Sequence, residues 1–398
     1  MIQRKLFILF NIISVSFCLF SIILSFIQNN QHLQQSFSAQ AISFINGHLD
    51  INAGGDTVFY RGKYYWPQGP FPSIIIMPFV LIFGKGFNQI IMQILLFPLL
   101  TFLVYRLTRS FGLNITKSFY LTYAFLFSSI VIGLIVDAGN VYYAQLVAIC
   151  LLLAIILEFQ TKRRWLLLGL LESALISTRP TAGLVILLLI YYASVSKNQR
   201  IRNLFFLMTP ILICIILLLW FNYLRFNNIL DNGYYTNYIG QALIPLRDIG
   251  IFNIKHIPTN FYYYFLSTFK AVTNQDHHLS FPYLTFNTWG ISFFIVSPFF
   301  LYTLKVITAK DRYIKLIWIV CMSSLLLILA YYAPGWVQFG PRYIGDLLPL
   351  LFVLLLFYFK KNHLSTFHKS LILVSSIINC LLLLSKVYLL SIGTFSYY

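Results

Sequence analysis

Long uninterrupted apolar runs constrain this chain more than any other feature. The stretch 203–224, NLFFLMTPILICIILLLWFNYL, carries no charge at all. About 20 such residues cross the ~30 Å hydrocarbon core of a bilayer. Inside it the backbone must satisfy its own hydrogen bonds, so a run without two-residue alternation is a helix. Similar runs at 6–28, 87–107, 118–136, 141–160, 165–178, 181–196, 290–304, 315–333, 344–359 and 370–393 predict an all-α polytopic membrane protein of about eleven transmembrane helices. The chain is 10% charged, against about 25% in a soluble domain. One integral domain, 1–398, accounts for it.

Charge placement gives the orientation. Arg4, Lys5, Arg106, Arg109, Lys117, the 162–164 cluster, Arg200, Arg202, Lys310, Arg312, Lys360 and Lys361 fall in alternate loops. The positive-inside rule makes those loops cytoplasmic and puts the N-terminus there. The formal charge of +18 is then a topology signal and a contact for lipid headgroups, and nucleic acid is not an expected partner. Acids mostly go the other way, with only Glu158 and Asp311 at the inner side. Asp50, Asp56, Asp137, Asp231, Asp248, Asp276 and Asp346 fall on the opposite side. Chemistry that needs a carboxylate is expected on the outer face. Glu172 lies within an apolar run, where Ser177 or another helix must satisfy it. The five cysteines all sit in apolar runs, as free core thiols.

The first outer segment, 29–86, is the densest in polar chemistry. Apolar Leu33, Phe37, Ala41, Phe44 and Ile45 recur at helical spacing opposite Gln34, Gln35, Ser38 and Ser43, which predicts an amphipathic helix over 31–46 on the membrane surface. Then comes HLDINAGGDTVFYRGKYYWPQGP, 48–70, with Asp50 and Asp56 followed by Arg61 and Lys63. Residues 71–84, FPSIIIMPFVLIFG, are apolar but reach only roughly 21 Å as helix, and are expected to be re-entrant. A second outer segment, 225–289, holds Arg225, Tyr234 and clustered tyrosines that could stack on a sugar ring or close over a lipid phosphate. Other outer junctions carry Asp137, Arg179, and the turn GWVQFGPRYIGD with Gln338, Arg342 and Asp346. Arginine grips phosphate in a bidentate way; the simpler partner for Arg342 is Asp346, four residues on. Asp56, Asp137 and Asp346 have no metal-ligand spacing, so a divalent metal is unsupported and no cofactor is expected.

The runs AISFINGHL, DTVFYRGKYYWPQGPFPSIIIMPFVLIFG, ISTRPTAG, FNYLRFNNILDNGYY, GIFNIKHIPTNFYYYFL, WGISFFIVSP and VQFGPRYIGDLLPLL, in this order, resemble a family of bacterial multispanning membrane proteins grouped with GT-C-type glycosyltransferases. The resemblance covers about Ser38 to Leu351. It implies a GT-C-like helical bundle in the bacterial plasma membrane, with a large first outer loop carrying juxtamembrane helices. Its implied activity takes a sugar from a polyprenyl-phosphate carrier and passes it to a glycan, lipid or protein acceptor of the cell envelope at the extracytoplasmic face. A carboxylate of the first outer loop would be the general base. Asp56 is the first choice and Asp50 the second. Arg61, Lys63, Asp137, Arg179, Arg225, Tyr234, Gln338, Arg342 and Asp346 would contact phosphate or sugar. Related transferases place an acidic pair just after the first span; here that place reads NNQHLQQ. Two other functions fit the same bundle: a transporter or flippase of a lipid-linked or small substrate, and an envelope-assembly protein that has lost catalysis.

Overall fold

A computed structural model of the protein describes residues 35–137, 139–195, 198–234, 243–336 and 338–391. The span expected at 6–28, with Arg4 and Lys5, and the first residues of the helix expected over 31–46 lie outside the described residues. The described chain is mostly helical. α1 (Ser36–Ile45) leads to a hairpin of β1 (Val58–Tyr60) and β2 (Lys63–Tyr65), then α2 (Phe71–Phe83). Next come α3 (Ile90–Ser110), α4 (Ile115–Phe127), α5 (Val131–Val136), α6 (Asn140–Thr161), α7 (Trp165–Ile176), α8 (Ile186–Val195) and α9 (Arg200–Phe226). Short α10 (Ile244–Asp248) and α11 (Ile257–Phe261) precede a second hairpin, β3 (Phe269–Thr273) and β4 (Leu279–Phe286). α12 (Phe293–Val296), α13 (Arg312–Ala330), α14 (Leu348–Lys361) and α15 (Thr366–Ser391) complete the order.

Among the described residues five helices, α3, α6, α9, α13 and α15, are long and apolar enough to cross a membrane. Their ends carry local signals. Asp311 caps α13 by accepting from the amides of Tyr313 and Ile314, and Arg109, Lys360 and Lys361 sit in last turns, against the negative end of the helix dipole. α6 is buried almost throughout and is the post against which α3, α7 and α14 pack. α9 is the reverse. It packs on α7 along one side and leaves Phe205, Leu212, Ile216 and Trp220 exposed, a surface that suits acyl chains and not water.

Several expected elements take a different form. The apolar run 118–136 breaks at Ser128–Ile130, between α4 and α5. There Ser129 Oγ donates to the Phe125 carbonyl and accepts from the amide of Val131, offering the backbone partners outside the helix ladder. The run 290–304 is short α12 followed by a 3-10 helix, Pro298–Val306, because Ser297 Oγ takes the amide of Ile130 and Pro298 has no amide to give. The run 344–359 becomes helical only at Leu348; Arg342–Asp346 is a separate 3-10 turn. α1 does not present Ser38 and Gln40 to solvent. Both are buried, and Gln40 accepts from Ser73 of α2 at 2.7 Å. α2, with 13 residues, reaches roughly 20 Å, and packs on α1 with Leu81, Ile82 and Phe83 exposed at its tip. Neither hairpin was legible as strand. The first closes through Arg61 and Gly62, both at positive φ, the backbone a tight two-residue turn needs. The second packs against α15.

Contacts sort the helix ends into two groups. Phe159, Tyr192 and Tyr313 share one aromatic cluster, and Phe357 joins it through Tyr313. Lys117 bonds the end of α14, and Lys369 lies over Tyr120. Around this end gather Arg163, Arg164, Arg312, Lys360 and Lys361. At the other end lie Asp56, Asp137, Arg179, Tyr234, Gln338, Arg342 and Asp346. Two acids lie at the first of these ends as well: Glu158 pairs with Arg164, and Asp311 caps α13.

Candidate functional site

The 48–70 segment is fastened to the bundle mainly through its backbone. The inner side of the β1–β2 hairpin, Val58 and Tyr65, packs on Phe226 at the end of α9. Beyond the hairpin, Trp66 is wholly buried against Phe37, and its carbonyl accepts from Arg225 Nη1 at 2.7 Å. Gly69 lies on the Ser177–Thr178 backbone so closely that a Cβ there would fall 2.0 Å from the Ser177 carbonyl oxygen. The loop thus docks on the ends of α7 and α9 together.

On the bundle side the 177–181 junction meets the Arg342–Asp346 turn. Asp346 has a fully buried carboxylate that receives Arg179 Nε at 2.6 Å, Arg179 Nη2 at 3.0 Å, Gln145 Nε2 at 2.6 Å and Thr181 Oγ1 at 2.5 Å. Both of its oxygens are satisfied, so Asp346 is neutralised and orients Arg179. The pairing of Arg342 with Asp346 expected from their spacing does not form: Asp346 belongs to Arg179. Arg342 instead donates Nη1 to the Trp336 carbonyl at 2.8 Å and Nη2 to the Tyr343 hydroxyl at 3.3 Å. Its guanidinium stands 5.0 Å from the Tyr343 ring centroid and 5.8 Å from that of Tyr142. Nε of Arg342 is buried with no hydrogen-bond partner among the described residues. Gln338 builds the turn that carries it. Its Nε2 donates to the carbonyls of Trp289 and Pro334, both at 2.8 Å, and its Oε1 accepts the Arg342 amide.

Asp56 faces this group. It is half-buried and takes a left-handed backbone, φ 61°. Among the described residues its carboxylate has no hydrogen-bond or ion-pair partner. Burial pushes its pKa above the ordinary carboxylate value, and the charge on Arg342 pulls the other way. Asp56 in turn acts on Tyr234 and Tyr332. The Tyr234 hydroxyl is pushed up to about 12, first by burial and then against the pull of Arg179. Arg179 is desolvated, yet Asp346 holds it firmly protonated. One unpaired acid, two arginines and the hydroxyls of Tyr234, Tyr332 and Tyr343 therefore share one electrostatic neighbourhood. Its donors suit an oxyanion, and its free acceptor suits a hydroxyl.

The remaining sequence candidates have other partners. Asp50 is tied to Lys63 at 3.1 Å, and that bond holds its carboxyl below the usual range. Arg61 is exposed at the hairpin tip over the Tyr60 ring. Arg225 bonds the Trp66 carbonyl and Asn222 Oδ1 and lies 3.9 Å from the Phe221 ring centroid, fixing the loop. Asp137 pairs with Lys386 of α15, while its other oxygen is buried without a partner among the described residues. Asp56, Asp137 and Asp346 do not converge as a ligand set, and no group of three His, Cys, Asp or Glu that could hold a metal occurs among the described residues. Tyr142, Gln145, Thr181, Tyr332 and Tyr343 were not singled out in the sequence; Tyr343 alone had a signal, its place next to Arg342. Glu172 is buried with neither oxygen partnered among the described residues, because Ser177 Oγ bonds backbone carbonyls of its own helix instead.

Searches with this chain found no matching family model, no matching curated protein and no matching solved structure.

Proposed function

We propose that this protein is a membrane glycosyltransferase of the GT-C type. It would take a sugar from a polyprenyl-phosphate carrier and pass it to an envelope acceptor at the extracytoplasmic end of an eleven-span bundle whose N-terminus is cytoplasmic. The observation that carries the reading is Asp56, an unpaired, half-buried acid in the field of a buried arginine. Asp56 takes the proton from the acceptor hydroxyl as that oxygen bonds the anomeric carbon. A raised pKa suits a base working near neutrality. The bond from the anomeric carbon to the phosphate oxygen breaks, and the lipid phosphate leaves with that electron pair. Arg342, Tyr332 and Tyr343 stabilise the charge that develops on it. Arg179, held by Asp346, and Gln338 keep the arginine-bearing turns in place. Asp50, engaged by Lys63, is not the base. The test compares lipid-linked glycans and envelope glycans of a deletion strain carrying wild-type, Asp56→Asn or Asp50→Asn protein. Loss of transfer by about 10²–10⁴-fold is expected for Asp56→Asn alone. Full transfer by a well-inserted Asp56→Asn protein would refute the assignment.

A transporter is the second reading, and Glu172 favours it. A buried unpartnered carboxyl within an apolar helix is the kind of group that carries protons or ions. Substrate movement in sealed vesicles without glycosidic bond formation, lost on Glu172→Gln, would select this reading.

A further inference from the structure

We infer that the cation-rich end of the bundle binds the phosphate headgroup of an anionic phospholipid, in a cavity between the end of α3, the start of α4 and the end of α14. The cavity measures about 530 Å³, and Ser110, Asn114, Lys117 and Lys360 line it. Lys117 is fixed in its wall: Nζ donates to the carbonyls of Phe359 at 3.1 Å and Asn362 at 3.0 Å. Lys360, exposed at the last turn of α14, has no hydrogen-bond or ion-pair partner among the described residues. Segments 105–120 and 357–369 meet at this corner and bring Arg106, Arg109, Lys117, Lys360, Lys361 and Lys369 with no Asp or Glu between them. Cations gathered without a carboxylate repel one another unless an anion joins them.

The apolar surface beside the cavity identifies the anion as a lipid. Leu95, Leu99 and Phe102 are exposed at one-turn spacing along α3, and Ile115 and Phe119 continue the surface on α4. Tyr105 and Phe119 touch across the two helices, and the Arg106 guanidinium caps the stripe 5.8 Å from the Phe102 ring centroid. A polar cationic cavity at the head of an apolar stripe matches a headgroup with its acyl chains. A free ion would have no use for the stripe.

The full chain, purified in detergent, tests this by thermal unfolding and native mass spectrometry with phosphatidylglycerol, phosphatidylcholine of the same acyl chains, or inorganic phosphate. Phosphatidylglycerol is expected to stay bound and raise the Tm, and phosphatidylcholine is not. Lys360→Gln, which breaks no contact, is expected to weaken phosphatidylglycerol binding about fivefold. Unchanged affinity in that variant, or equal stabilisation by phosphatidylcholine, overturns the site. Inorganic phosphate that gives the same Tm rise and displaces the lipid overturns the lipid assignment.

Discussion

The guanidinium of Arg179 and the carboxylate of Asp346 meet through two hydrogen bonds although 167 residues separate them. The pair ties the junction after α7 to the turn before α14, and so fixes two of the loops around Asp56. Asp346→Ala leaves Arg179 desolvated without its partner and is expected to cost about 3–5 kcal/mol. Thermal unfolding of the purified protein, followed by size-exclusion chromatography, measures it. Stability within about 1 kcal/mol of wild type would mean that the pair is solvated and does not hold the turns.

Asp56 is expected to oppose stability while serving function. Its folded pKa is raised, so its stabilising contribution is present in full below the unfolded carboxylate value and is lost as pH rises through the folded value. Asp56→Asn should therefore raise the Tm at neutral pH, and the gain should shrink as the pH is lowered toward 4, near the model-peptide value of about 3.9. Tm measured against pH in both proteins checks the sign. A lower Tm for Asp56→Asn at neutral pH would mean that the carboxylate has a partner in the folded state.

Gln338 serves three backbone groups with one side chain. Gln338→Leu keeps the bulk but leaves the carbonyls of Trp289 and Pro334 and the amide of Arg342 without it. A loss of at least about 1–3 kcal/mol is expected, with transfer activity falling alongside because Arg342 moves. Activity that survives while stability drops would separate Gln338 from the placement of Arg342.

Lys386 and Asp137 bind the last helix to the C-terminal end of α5. Lys386→Met alone should destabilise by about 3–5 kcal/mol by leaving a buried acid unpaired, and Asp137→Leu added to it should recover most of the loss. A double-mutant cycle on thermal stability reads the coupling. Additive losses would show that the two groups act independently.

The long apolar helices were legible because they follow from what a bilayer demands of a backbone. The breaks were not. Ser128–Ile130 and Ser297–Pro298 lie inside runs whose hydropathy is unbroken, and what ends the helices is a hydrogen bond from the Ile130 amide to Ser297 Oγ, across 167 residues. The first hairpin was hidden because its three-residue strands are too short to show alternation. At the site, Asp56 and Arg342 were legible as charges outside the apolar runs. Which acid pairs with which base was not: Arg342 has an acid at helical spacing, yet the turn between them is 3-10 and hands Asp346 to Arg179.

The attachment of the 48–70 loop has a consequence for how such a protein changes over time. Its fastenings to the bundle are Val58 and Tyr65 on Phe226, the ring and carbonyl of Trp66, and the backbone contact at Gly69, while Phe59 and Tyr64 are exposed on the outward side of the hairpin. Those outward residues are free to vary one by one while the carboxylate behind them stays put. Under the proposed transfer reaction, preference for one acceptor over another would then drift on a surface that mutation can rewrite, while the proton acceptor Asp56 beneath would be inherited unchanged.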